Sequence, residues 1–158
     1  MQNFTPRKKL NHEVPHWVET NPMFFITINT LPREENNLLH DNIVEEVKNS
    51  LIFYQSKEMV YVQYLLLMPD HLHILISFNN TVMINFIQQW KRYISRKTRL
   101  MWQSDFFDHR IRNNESLQEK IDYISNNPIR KSLVKNSADW KYQWFNGMQE
   151  LSQLGIPK

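Results

Sequence analysis

The chain has no cysteine, which excludes disulfides, thiolate zinc sites and cysteine nucleophiles and is compatible with a reducing, cytoplasmic setting. It has only two glycines, Gly147 and Gly155. That is too few for the phosphate-cradling loops of P-loop or dinucleotide-binding proteins, so no nucleotide cofactor is expected. No apolar run reaches the ~18 residues that a membrane span needs, so no membrane partner is expected. The charged run Arg7-Lys8-Lys9 is not followed by the apolar stretch of a signal peptide. What is present is a hydrophobic fraction of 41% with 13% aromatics in 158 residues, enough for one domain with a real core. The net charge is only +3, but the lysines and arginines are clustered, and a local basic field attracts phosphate.

Residues 1–22, with Pro6, Pro15 and Pro22, read as an irregular basic arm. Met23 to Thr30 is rich in β-branched and aromatic residues and reads as a strand. Leu39, Ile43, Val47 and Leu51 recur at steps of four, predicting a helix over 36–56. Val60 to Met68 reads as a second strand, and Pro69-Asp70 breaks it before a third that begins at His71. Met83, Phe86, Ile87, Trp90 and Ile94 form the core face of a helix over 81–101. A short strand is expected over 107–112, and the capping-box pattern Ser116-Leu117-Gln118-Glu119 starts a third helix. That helix is expected to stop at Asn127, because Pro128 disfavours the α conformation in the residue before it. Residues 136–158, with Trp140, Tyr142, Trp144 and Phe145, read as a tail packed back on the body. The order β-α-β-β-α-β plus a helix is that of an α+β, ferredoxin-like antiparallel sheet with helices on one face. The last helix is then free to cover the other face.

The third strand carries the most informative pattern, His71-Leu72-His73. Side chains alternate along a strand, so His71 and His73 share a face, roughly 6.6 Å apart along it, while Leu72, Ile74, Ile76 and Phe78 take the buried face. Two imidazoles so placed can converge on one divalent cation. On the third helix, at ~100° per residue, Leu117, Ile121 and Ile124 form the buried stripe. Tyr123 and Asn127 lie off that stripe, on a common flank with Lys120, and are neighbours at i and i+4. Asn127 also suits a helix end. Asp70 either caps its turn or supports a ligand from behind, and His109 faces either the site or solvent. Arg92, Arg96 and Arg99 recur on one helix face with Lys91 and Lys97 nearby, and Arg130, Lys131 and Lys135 follow the third helix. These clusters, with the Arg7-Lys8-Lys9 arm, are the candidates for nucleic-acid contact.

Three segments taken together, MPDHLHILI, FFDHRIR and DYISNNPIRKSLV, resemble the REP-associated tyrosine transposases, within the single-tyrosine HUH transposases. The resemblance runs from Phe24 to near Trp140, with residues 23–135 as the HUH domain. One departure is Lys131-Ser132, where relatives often carry small residues. The resemblance implies that His71, His73 and Asn127 hold Mg²⁺ or Mn²⁺ and that Tyr123 is the nucleophile. The implied partner is single-stranded DNA marked by a hairpin, nicked and rejoined through a 5′-phosphotyrosine by a monomer or homodimer. A phenol with a pKa near ~10 is a weak nucleophile at neutral pH, so a Lewis acid on the phosphate makes chemical sense. Three other readings stand beside it: a non-catalytic hairpin-binding protein or repressor, an RNA-binding domain of the same topology, and a metal-dependent hydrolase without a covalent intermediate.

Overall fold

The computed structural model describes residues 14–112 and 116–154. Strands β1 (Met23–Leu31), β2 (Val60–Leu67) and β3 (His71–Phe78) form the middle of an antiparallel sheet. β3 is central: β1 pairs along one edge, from Met23 opposite Ser77 to Asn29 opposite His71, and β2 pairs along the other. The turn at Pro69-Asp70 is closed by the Met68 N–H donating to the His71 carbonyl at 2.8 Å. Two short strands, β4 (Met101–Trp102) and β5 (Phe107–Arg110), share the outer edge of β1. β6 (Gln143–Phe145) extends the sheet beyond β2. The order β4-β1-β3-β2-β6, with β5 also on β1, is the expected ferredoxin-like arrangement with an added edge strand.

The alternation of β3 divides the molecule. On one face, Leu72, Ile74, Ile76 and Phe78 join α1 (Asp41–Ser56) and α2 (Met83–Thr98) in the larger core. Trp90 of α2 is buried there, and its indole N–H donates to Ser50 Oγ of α1 at 2.8 Å. On the other face, Ile121 and Ile124 of α3 (Leu117–Ser125) pack with Tyr64, Leu66, Leu75 and Trp140 in a second, smaller core. The tail is fastened to this face, where the Trp140 indole donates to the Leu67 carbonyl at 3.0 Å. Among the described residues no helix is long and apolar enough to cross a membrane.

Several boundaries differ from the sequence reading for local reasons. α1 begins at Asp41 rather than residue 36: His40 ahead of it is extended at φ −107° and ψ 139°, and the Asn37 and Leu38 N–H groups tie that stretch to the Pro69 carbonyl. α2 ends at Thr98 rather than 101, since Arg99 adopts a left-handed conformation at φ 64°. Residues 101–102 then pair with β1 as a strand. Pro128 does not end helical structure. α3 closes at Ser125, and a further turn, α4 (Asn127–Arg130), takes Pro128 in its first turn, where the missing N–H has no intrahelical partner to lose. Of the arm, His16–Glu19 forms a 3-10 turn, and Asn21 donates to the Phe78 carbonyl. Ser116 caps α3 as its motif predicts, accepting from the Glu119 N–H.

Because Ile124 is the buried anchor of α3, Ile124→Ala is expected to cost about 2–4 kcal/mol of stability in urea denaturation. A value near zero would mean that α3 is not seated on the sheet.

Candidate metal and nucleophile site

The site is built on the sheet face opposite α1 and α2. Pairing registers set a cross-strand row there, Leu66 of β2, His73 of β3, Thr27 of β1 and Phe107 of β5. His71 lies two residues along β3, paired with Asn29. The two imidazoles face each other edge-on, with ring centroids 4.9 Å apart.

Each histidine is oriented through its Nδ1. His71 Nδ1 lies 2.8 Å from Asp70 Oδ1. A carboxylate only accepts, so the ring donates from Nδ1 and leaves the Nε2 lone pair available. Asp70 is itself held by the Glu34 N–H at 2.8 Å and by Arg33 at 3.3 Å. Burial works to raise the Asp70 pKa, but these donors and His71 together keep it below the ordinary carboxylate value. His73 Nδ1 meets Thr27 Oγ1 at 2.8 Å, and its Nε2 meets the Asn127 amide at 2.6 Å. The contact places Nδ2 of Asn127 toward the ring; a half-turn of the carboxamide presents Oδ1 instead.

Burial lowers the pKa of both histidines. For His71 the Asp70 carboxylate partly opposes this, and the charges of Arg33 and Lys131 add to it. For His73 burial, then the charges of His71 and Arg130, bring the value to about 3. Both imidazoles are therefore neutral at pH 7, the form that binds metal. Two Nε2 atoms and an amide oxygen suit a divalent cation that keeps further positions for water or phosphate oxygens. Among the described residues no group of three His, Cys, Asp or Glu side chains is arranged to hold a metal ion, and the side chain that meets the His73 Nε2 is the Asn127 amide.

Tyr123 is 63% exposed. The Arg130 guanidinium lies over its ring at 4.5 Å and donates to its backbone carbonyl at 3.0 Å. Among the described residues its hydroxyl makes no hydrogen bond. Lys120 sits over the Phe25 ring at 5.6 Å, and Phe25 is stacked on His73 at 5.4 Å. His109 pairs with Phe25 and so belongs to the same face. The face thus gathers His71, His73, Asn127, Asp70, Lys120 and His109, with Arg130 and Lys131 near enough for their charges to act on the histidines. Arg92, Arg96 and Arg99 lie elsewhere, along and at the end of α2, in the layer behind the sheet. Lys91 is buried there, its Nζ donating to the Gln103 carbonyl at 2.7 Å. Arg7, Lys8 and Lys9 lie outside the described residues. Sequence reasoning missed Thr27, Arg33 and Phe25. The alternation Phe25, Thr27, Asn29 was visible in β1, but only its register with β3 puts Thr27 beside His73.

A family model described as IS200-like transposase matches residues 26–127. That match spans more than half of the chain, which belongs to the IS200-like transposase family. A REP-associated tyrosine transposase of Escherichia coli (strain K12) is 23% identical over 128 residues, 78% of this chain and 76% of that protein. A solved structure of a REP-associated tyrosine transposase bound to a REP hairpin aligns with a TM-score of 0.67 and 21% identity, covering 78% of this chain and 76% of that one. The family resemblance and the fold read from the sequence are both borne out.

The buried histidines give a signed pH dependence. Their folded pKa values lie below the ordinary ~6.5, so the unfolded chain binds more protons below that pH. Their contribution to stability is complete above about pH 6.5 and falls as pH drops toward 3, the value to which His73 is lowered. Urea denaturation at pH 7.5 and pH 5 is expected to show lower stability at pH 5, with a smaller difference in His73→Asn. An unchanged difference in the variant would place the titration elsewhere.

Proposed function

We propose that this protein is a divalent-metal-dependent enzyme that nicks and rejoins single-stranded DNA beside a hairpin, with Tyr123 as nucleophile. One observation carries the reading: Asn127 reaches His73 from the helical segment that bears Tyr123 one turn earlier. This supports a reading in which two imidazoles, an amide and the Tyr123 phenol act on one phosphate. Hairpin-marked DNA is proposed as substrate because the related solved transposase is bound to a REP hairpin.

The cation would be held by His71, His73 and Asn127, and when bound it polarises the scissile phosphate as a Lewis acid. Asp70 keeps the His71 Nε2 lone pair available, and Thr27 fixes the tilt of the His73 ring. Arg130 and Lys131 supply positive charge for the phosphate, and Arg130 also fixes the Tyr123 ring. The Tyr123 oxygen forms a bond to phosphorus and gives up its proton to solvent. The phosphorus–O3′ bond breaks, and the departing oxygen takes a proton from solvent to become a 3′-hydroxyl. The phosphodiester is conserved as a 5′-phosphotyrosine, so attack by a 3′-hydroxyl can rejoin the strand without ATP. The exposure of Tyr123, whose hydroxyl makes no hydrogen bond among the described residues, favours one second reading, a hairpin-binding protein that does not cut.

Labelled hairpin oligonucleotides with single-stranded flanks, incubated with Mn²⁺ or EDTA and run on denaturing gels, test the proposal. A Mn²⁺-dependent covalent adduct is expected with the wild type and none with Tyr123→Phe. Cleavage that persists in Tyr123→Phe would point to hydrolysis, and binding without cleavage to the second reading. Asp70→Ala, which frees His71 to rotate, is expected to weaken Mn²⁺ binding by about 10- to 100-fold in calorimetry. Unchanged affinity would remove Asp70 from the metal's support.

A further inference from the structure

Phe107 has no part in the chemistry above, yet it stands in the same row of the sheet as His73. It opens β5 opposite Thr27, which pairs on its other side with His73. Ordinary strand spacing puts Phe107 about 10 Å from His73. Its ring is 59% exposed. Behind it the aromatic surface is continuous: Phe107 meets Phe25 at 6.2 Å, and Phe25 is stacked on His73 at 5.4 Å. The Lys120 ammonium lies over Phe25 at 5.6 Å. Arg130 and Lys131 add positive charge on the histidine side.

We propose that Phe107, backed by Phe25, is a stacking platform for one unpaired base of the DNA strand, with Lys120 meeting a phosphate beside it. The choice of DNA rests on the function proposed above; the platform itself rests on the exposed Phe107 and on Lys120 over the neighbouring Phe25 ring. Cations complement the polyanionic backbone, while the exposed π-face suits a base that has lost its neighbour. A base inside a duplex is already covered on both faces, so this surface selects single-stranded DNA. Every base has a π-face, so it contributes affinity without reading sequence.

Fluorescence anisotropy with a labelled single-stranded oligonucleotide and its blunt duplex tests the platform. Phe107→Ala is expected to weaken single-strand binding by about 5- to 150-fold and to leave duplex binding unchanged. Phe107→Trp should bind as the wild type does, and Phe107→Leu, apolar but without a π-face, should fall with the alanine variant. Single-strand affinity that is equal across the series, absent in the wild type, or lost equally on the duplex overturns the proposal. The Mn²⁺-dependent adduct, measured on the same proteins at saturating DNA, separates the two ideas. Adduct formation with binding indifferent to Phe107 removes the platform and keeps the nucleophile. Binding that depends on Phe107 without any adduct keeps the platform and removes the nucleophile.

Discussion

The two-residue alternation of β3 is the constraint on which the rest depends. Buried between β1 and β2, this strand has its backbone groups committed to ladders on both edges, and its register leaves no freedom to slip. A shift of one residue would carry Leu72 and Ile74 out of the larger core and bring the histidines into it. The apolar face therefore fixes where His71 and His73 point. Their placement is a by-product of the most strongly determined packing in the molecule, which suits a site whose ligands must be held within fractions of an ångström.

Orientation comes from a second layer of hydrogen bonds. Asp70 accepts from His71 Nδ1 and so leaves that ring's Nε2 free, while Thr27 holds the Nδ1 edge of His73, whose Nε2 meets Asn127. Arg33 extends the support outward, reaching the carboxylate and the carbonyl of Asp70 as well as Asn29. Asp70 thus joins the β2–β3 turn to the loop after β1, so the ring orientation of His71 depends on two segments far apart in the chain. On the opposite side Asn127 approaches from a helix seated by only a few apolar side chains, chiefly Ile121 and Ile124. The histidine pair is embedded in the sheet, whereas the amide arrives from α4, which follows α3 over the smaller core.

Much of this was legible in the sequence where one residue's environment depends on near neighbours. The alternation around His71, the apolar stripe of α2 and the Ser116 cap are local patterns, and the structure realises them. What escaped was set by pairing between distant segments. Thr27 gained its partner from a strand register, and Lys91, which reads as one more basic residue on a helix, is drawn inward by carbonyls of the loop at 103–104. Residues 143–145 are too few to show a period, and only the waiting edge of β2 makes them a strand. Pro128 shows how a local rule misleads: it breaks a helix interior, but here it sits in the first turn of the next segment.

The sheet also acts as a partition. Arg92, Arg96 and Arg99 lie in the helical layer and the histidines on the far side, with a packed core and the sheet itself between them. The path through solvent round an edge of the sheet is longer than the Debye length of about 8 Å at physiological ionic strength, over which exposed charges are screened. A polyanion touching both sides must pass round an edge. Otherwise the charge on α2 acts before contact, raising the rate of encounter while leaving the barrier at the phosphate as it was. Under the function proposed above, added salt then slows arrival more than bond-making, with α2 gathering the strand and the histidine face altering it.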